Sequence, residues 1–459
     1  MNPMIFREYD IRGVVDKDFN VDDAEKIGRG YATYVAEHGG RRCVVGRDCR
    51  MSSQAIRDAL IKGITRGGVD VIDVGLCPTP LLYFANRHLG ADGGVMVTAS
   101  HNPPEYNGFK ICVGTDTLFG GEIQKLKKII ESGEYASGEG SLDEFSILPV
   151  YCDYLADNIR LARPIRVAVD AGNGTGGLAA GPVFKRLNCE LSELFMEPDG
   201  TFPNHEPDPT VPRNLEKLAN TVVEQGLELG VAFDGDADRL GVVDENGRIL
   251  YGDMLMVLFA REILKDNPGG KFIGEVKCSQ VMYDEIERKG GVPIMWKTGH
   301  SLIKKKLKDE NALLAGEMSG HFFFKHRYFG FDDAIYAACR LMEILSKDDK
   351  PLSAYLSDLP KTYNTPEIRV DCPDDKKFEL VEKVKQALSA NYRTIDIDGV
   401  RVVFEDGWGL VRASNTSPVI VLRFEAESES RLREIRDLVE AQIDEAKSVM
   451  HRDDGKNEG

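Results

Sequence analysis

Two short runs collect side chains that chemistry needs and packing does not. Thr98-Ala99-Ser100-His101-Asn102-Pro103, followed by Asn107-Gly108-Phe109-Lys110, brings a hydroxyl, an imidazole and an ammonium to the end of an apolar, strand-like stretch. Asp234-Gly235-Asp236-Ala237-Asp238-Arg239 stands at the end of another. Alternating Asp234, Asp236 and Asp238 offer hard oxygen ligands from one loop, a set suited to magnesium or calcium. The first run has a nucleophile without a metal, and the second has metal ligands without a nucleophile. Their simplest joint reading is a single phosphoryl-transfer site. Ser100 is a weak nucleophile unless the cost of its oxyanion is lowered, and as a phosphoserine it would supply the oxygen ligand that the aspartate run lacks.

Electrostatics points the same way. Two unit charges about 5 Å apart interact by roughly 3 kcal/mol at an effective dielectric of 20, so three bare carboxylates would repel an incoming phosphate. A dication, with Arg239 and Lys110 nearby, brings the cluster close to neutral and can stabilise charge on the transferring oxygens. An EF-hand competes for the aspartates, because Glu245 falls at its twelfth position. Its sixth position needs Gly for a sharp turn, but Arg239 stands there, and the flanks Val231 to Phe233 and Leu240 to Val243 read as strands. A phosphatase using Asp234 as nucleophile stays open, given an apolar strand followed by D-x-D.

These runs need elements to position them. Cys43 to Asp48 and Gly94 to Thr98 are strand-like, with a helix-period stretch from Gln54 to Thr65 between them. Arg166 to Asp170 and Leu229 to Phe233 repeat the rhythm, and Phe272 to Cys278 with Leu313 to His321 repeat it again. Alternating strands and helices imply mixed, largely parallel sheets whose ligands gather at the carboxyl ends of strands. Beyond about residue 363 the pattern becomes α+β. There Phe378, Val381, Val384 and Leu388 mark one apolar helix face, and Leu432, Ile435, Leu438 and Val439 another. The expected division is 1-147, 148-250, 251-363 and 364-459, with Gly133 to Ser141 and Pro360 to Pro366 as linkers. Gly172-Asn173-Gly174-Thr175-Gly176-Gly177 breaks the dinucleotide-binding frame and reads as a tight strand-to-helix turn.

With 459 residues, of which 42% are hydrophobic, the chain has room for several cores. No apolar stretch approaches the roughly 18 to 20 residues of a membrane helix, and the amino terminus lacks a signal-peptide core. Nine scattered cysteines without a C-x-x-C pair argue against a disulfide framework or a structural zinc site and suit a reducing, cytoplasmic compartment. A net charge of -17 disfavours nucleic acid and anionic membranes as partners. A small anionic substrate remains possible where Arg and Lys concentrate.

Five further runs join the two loops in order: Phe6-Arg7-Glu8-Tyr9-Asp10-Ile11-Arg12-Gly13, Val45-Gly46-Arg47-Asp48, Lys297-Thr298-Gly299-His300-Ser301, Gly316-Glu317-Met318-Ser319-Gly320-His321 and Arg412-Ala413-Ser414-Asn415-Thr416. The chain resembles the α-D-phosphohexomutase superfamily, in its bacterial phosphomannomutase/phosphoglucomutase branch. The resemblance implies three related α/β domains and a C-terminal α+β domain around a central cleft, with Mg2+ held by phospho-Ser100, Asp234, Asp236 and Asp238. It also implies movement of phosphate between O6 and O1 of glucose or mannose through a hexose 1,6-bisphosphate, which would act as an activator. Arg412, Ser414, Asn415 and Thr416 read as a loop of donors for the phosphate that is held rather than transferred. Glu317 and Ser319 would take the 3- and 4-hydroxyls. Tyr9 and Lys277 would complete substrate binding, with Arg12 and Lys110 in the cationic wall.

His300 and His321 are candidates for positioning or proton transfer, His101 and Arg239 join the catalytic set, and Lys110 is the expected partner for protons at Ser100. The expected oligomeric state is a monomer or weak homo-oligomer. Phosphoglucosamine mutase is the nearest rival, and it typically carries Gln where Met318 stands. An aspartyl phosphatase and a calcium-binding module without catalysis are the rivals of other classes.

Overall fold

A computed structural model describes residues 1–415 and 417–457, with side chains described to Met450. Among these residues the strands form four sheets, and three share one plan. In the first, Arg42–Arg47 pairs in parallel with Asp70–Leu76 on one side and Gly93–Val97 on the other, and Gly93–Val97 then turns back into antiparallel Tyr106–Val113. In the second, Arg166–Asp170 lies between parallel Glu190–Leu194 and Leu229–Phe233, and Leu229–Phe233 turns back into antiparallel Leu240–Asp244. The third repeats this with Lys271–Glu275, Val292–Trp296, Leu314–Gly316 and Phe322–Phe324. The serine, aspartate and Glu317 loops are therefore one connection, the final hairpin turn, used three times. Each follows a strand buried along its length, which fixes the loop's origin and leaves its side chains free for the cleft.

Helices cover the sheets and are capped where the sequence allows. Asn20 forms a reciprocal capping box with Asp23 at Val21–Glu37, and Asp333 accepts the Tyr336 N–H at the start of Ala334–Leu345. Ala334–Leu345 is buried along its whole length and lies in an apolar cluster that runs through all three α/β units, from Val44 and Leu82 through Val169 and Phe233 to Phe272 and Phe322. These units are thus packed as one body.

The C-terminal sheet is antiparallel throughout and has its own core of Leu380, Val384, Val411, Leu422 and Ile435. Phe378 departs from the expected helix face: it is exposed, and Leu380 packs in its stead. The expected linkers also belong to sheets. Gly138 bridges to Gly67, and Leu142–Glu144 then adds to the first sheet beside Asp70–Leu76. Tyr363–Asn364 already pairs with Val419–Ala426 of the last sheet. Gly, Pro and Ser in these stretches reflect tight passage rather than freedom.

Candidate active site

Ser100 sits in the first hairpin turn with φ of +51°, a left-handed conformation that serine adopts only when its surroundings demand it. Those surroundings are Arg50. Its buried guanidinium donates to the carbonyls of Ser100 (2.8 Å), Tyr106 (3.1 Å), Asn102 and Pro103, and Nε donates to Asp48 Oδ2 at 3.1 Å. The Ser100 N–H donates to Thr98 Oγ1 at 2.9 Å. So held, Ser100 Oγ donates to Asp234 Oδ2 at 2.5 Å and lies 3.0 Å from His101 Nδ1. With its one proton given to Asp234, the hydroxyl receives the Nδ1–H of His101. Burial together with Arg239 and Arg12 lowers the His101 pKa well below its ordinary value, which keeps the ring neutral.

The aspartate loop meets the serine loop backbone to backbone. A Cβ on Gly235 would lie 2.4 Å from the Ser100 carbonyl oxygen, and one on Gly174 would lie 2.7 Å from the Gly235 carbonyl oxygen, so glycine is required at both levels. The run at 172–177 is indeed a strand-to-helix turn, and its Thr175 N–H and hydroxyl both donate to the Gly235 carbonyl. Its role is to brace the aspartate loop from below.

Asp234, Asp236 and Asp238 are fully buried, and one carboxylate oxygen from each lies within 4.8 Å of the others. Asp236 Oδ2 accepts from Thr79 (2.6 Å), Thr98 (3.3 Å) and Lys110 (2.7 Å), while Lys110 also donates to Asp238. Burial alone would lower the Lys110 pKa, but Asp236, Asp238, Asp332 and Asp234 outweigh it and raise it. Asp236 Oδ1 and Asp238 Oδ1 are buried with no hydrogen-bond partner. Orphaned carboxylate oxygens in a triad are the donor set a hard divalent cation fits, so these residues suit a divalent metal ion. Lys110, expected to exchange protons with Ser100, is occupied by two carboxylates, and the ring within reach of Oγ is that of His101.

On the third unit, His321 Nε2 accepts from Arg239 Nε at 3.0 Å, which leaves the proton on Nδ1 facing Asp332 (3.4 Å) and Asp238 (3.6 Å). His300 Nδ1 lies 3.8 Å from the same Asp332 Oδ2, and burial with Lys304 holds its pKa well below the usual range. Glu317 Oε1 accepts the Gly299 N–H at 2.7 Å and its other oxygen lies 3.9 Å from His321. Ser319 is half-buried beside it. Arg12 donates to Asn102 Oδ1 at 2.7 Å and to Asp10.

The remaining expected residues gather farther along the cleft. Tyr9 donates to the Thr298 carbonyl (2.8 Å) and accepts from Asn415 Nδ2 (2.6 Å), so one side chain joins the first, third and fourth units. Arg412 belongs to the strand Gly407–Ala413 rather than to a loop, and its Nε donates to Asp398 Oδ2 at 2.9 Å. Ser414 is buried and Lys277 donates to Glu367 at 3.0 Å. Thr416 lies outside the described residues. Sequence reasoning missed Arg50, Asp332, Lys304 and Asp398. Arg50 alone had a local signal, two residues beyond the Val45 to Asp48 run.

Comparison with known proteins agrees with this arrangement. Family models described as phosphoglucomutase/phosphomannomutase alpha/beta/alpha domains I, II and III match residues 3–137, 149–247 and 251–363, and the corresponding C-terminal domain matches 367–442. The chain therefore belongs to the phosphoglucomutase/phosphomannomutase family. It is 48% identical over 440 residues to a phosphomannomutase/phosphoglucomutase of Pseudomonas aeruginosa strain PAO1, covering 96% of this chain and 95% of that one. A phosphoglucomutase of Neisseria gonorrhoeae is 46% identical over 445 residues, 96% of each chain. The crystal structure of a phosphoglucomutase/phosphomannomutase family protein from Burkholderia thailandensis superposes with a TM-score of 0.91 at 44% identity, covering 97% of this chain and 98% of that one.

Proposed function

We propose that the protein interconverts hexose 1-phosphate and hexose 6-phosphate, with glucose and mannose as the sugars, through phospho-Ser100 and a hexose 1,6-bisphosphate. The observation that carries this reading is the 2.5 Å bond from Ser100 Oγ to Asp234 Oδ2, which sets a hydroxyl against the carboxylate triad. Transfer from phospho-Ser100 breaks the P–Oγ bond and forms a bond from phosphorus to the free sugar hydroxyl. The sugar proton passes to the neutral imidazole of His300, while His321, its Nε2 on Arg239, positions the Glu317 and Ser319 loop. The charge on the leaving serine oxygen is met by the Nδ1–H hydrogen bond of His101, which stays on the ring, and the proton held by the imidazole returns to the sugar oxygen that is displaced when Ser100 takes the second phosphate. Lys110, Arg239 and Arg12 serve as fixed cations around the transferring group. Mg2+ held by phospho-Ser100, Asp234, Asp236 and Asp238 would add Lewis-acid charge at the phosphoryl oxygens.

One nucleophile must serve both ends of the sugar. Arg412, Ser414, Asn415, Thr416, Lys277 and Tyr9 then form the clamp for whichever phosphate is at rest, and Glu317 with Ser319 takes the 3- and 4-hydroxyls, which glucose and mannose share. We place the divisions between units near residues 147, 250 and 363. The C-terminal domain acts as cover, closing through Pro360 to Pro366, the stretch that leads into its own sheet, and its separate core supports this. Among the described residues no helix is long and apolar enough to cross a membrane, and we assign the enzyme to the cytoplasm, as a monomer or weak homo-oligomer. Hexose 1,6-bisphosphate activates by rephosphorylating Ser100.

Peptide mass mapping tests the assignment. A phosphoryl group on Ser100 is expected, and one on Asp234 would replace the mutase reading with a phosphatase. Initial rates with glucose 1-phosphate, mannose 1-phosphate and glucosamine 1-phosphate, with and without a bisphosphate, test the substrate. Fastest turnover of glucosamine 1-phosphate would overturn the sugar assignment.

A further inference from the structure

A second cavity, of about 740 Å³, opens between the first and third units and is not lined by Ser100, the aspartates or the Arg412 segment. Its composition is unusual for this chain. Aromatic rings, Tyr83, Phe329 and Phe331 among them, supply much of the wall. Five cations line it against three carboxylates, in a protein with 58 Lys and Arg against 75 Asp and Glu. The pairs at its rim are loose: Lys308–Asp116 and Lys305–Asp309 have both partners more than half exposed, and such pairs are worth roughly 0 to 1 kcal/mol. Their ammonium groups are available to a stronger anion at little cost.

Deeper in the wall, Asn86 is 4% exposed, donates through Nδ2 to the Gly114 carbonyl at 2.7 Å, and leaves Oδ1 without a partner. Aromatic rings in the wall and exchangeable ammonium groups at the rim define a ligand with a planar ring and a phosphate or similar anion. The wall toward the cleft is Lys304. It lies 4.3 Å from the centroid of the Tyr83 ring and donates to Asp332 at 3.0 Å, and the other oxygen of Asp332 faces His321.

We propose that this cavity is a binding site for a small aromatic phosphate, separate from the cleft. Adenosine 5′-monophosphate is a suitable probe, because it joins a dianion to a planar purine. Calorimetric titration should show binding to the full-length protein that weakens at least tenfold in a Lys308→Glu/Lys325→Glu double variant and is unchanged in Arg412→Ala. Lys308 is exposed and Lys325 half-buried with its ammonium at the surface on Asn311, so the double variant should fold, and an unaltered circular dichroism spectrum and Tm check this. Inorganic phosphate should bind at least tenfold more weakly than the nucleotide. No binding, binding lost in Arg412→Ala but kept in the double variant, or equal affinity for inorganic phosphate would each overturn the proposal.

Discussion

At the serine end of the cleft, each cation is tied to several groups of the protein, and nearly all of those ties are buried. Arg50 spans Asp48 and four carbonyls, and Lys110 spans Asp236 and Asp238. At the distal end the ties are few, and two of the three cross between units. Arg412 holds Asp398, Lys277 holds Glu367, and Asn415 holds Tyr9. The two carboxylates there keep some exposure, 15% for Asp398 and 25% for Glu367. An arriving phosphate can substitute for them, anion for anion. On the function proposed above, the difference teaches that the reacting end is built to stay in register, while the holding end is built to exchange an internal anion for an external one.

The sharpest way to break this contrast is to remove the nucleophile. Ser100→Ala should lower kcat by at least about 1,000-fold with the melting curve little changed, since the loss is chemical; near-normal turnover would refute the assigned nucleophile. Arg50→Met should do the reverse and unfold the register itself. It strands a buried carboxylate and four carbonyls, so urea titration should show a loss of about 3 to 5 kcal/mol. A stability within 1 kcal/mol of the parent would mean that the loop holds itself. Asp236→Asn should cut kcat about 100- to 1,000-fold. Chelation should give a similar loss that added Mg2+ restores, and the protein should remain folded throughout.

At the holding end the effects should be smaller and fall on binding. Arg412→Ala should raise KM for glucose 1-phosphate by roughly 10- to 100-fold, as expected for one charge-assisted pair of about 1.5 to 3 kcal/mol; an effect confined to kcat would contradict a clamp. The smallest effect is a pH dependence. Lys277 holds the Glu367 carboxyl down, at about 2 against an ordinary 4.5. A depressed carboxyl contributes stability above its unfolded pKa, and that contribution is lost as pH falls from about 4.5 toward 2. Glu367→Gln should therefore lose about 1 kcal/mol less than the parent across this window, as followed by denaturation at each pH.

Much of this contrast was legible in the chain. The serine and aspartate runs, the Glu317 loop and the Arg412 run stand out because several reactive types crowd into a few positions after an apolar strand. The repeated strand-helix rhythm placed them at carboxyl ends, where the sheets do carry them. That all three loops are the same hairpin turn was not legible, since strand order is a tertiary fact. Asp332, Lys304 and Asp398 were invisible for a related reason. Each stands beside charges of its own sign, Lys304 with Lys305 and Lys306, Asp332 with Asp333 and Asp398 with Asp396, and its importance comes from a partner about 10 to 28 positions away. Arg412 read as part of a loop because the Ser, Asn, Thr and Pro after it mask the end of its strand. Phe378 misled because helical spacing marks a stripe, while the edge of that stripe depends on what packs against it.

The bond network of Lys110 has a bearing on life without a divalent ion. Because its ammonium already balances two of the three acidic groups, the first and second units can dock before any ion arrives, and the ion is not a requirement for assembly. A cell short of the metal would then accumulate intact, dormant enzyme instead of misfolded chains, ready to restart once the ion returned.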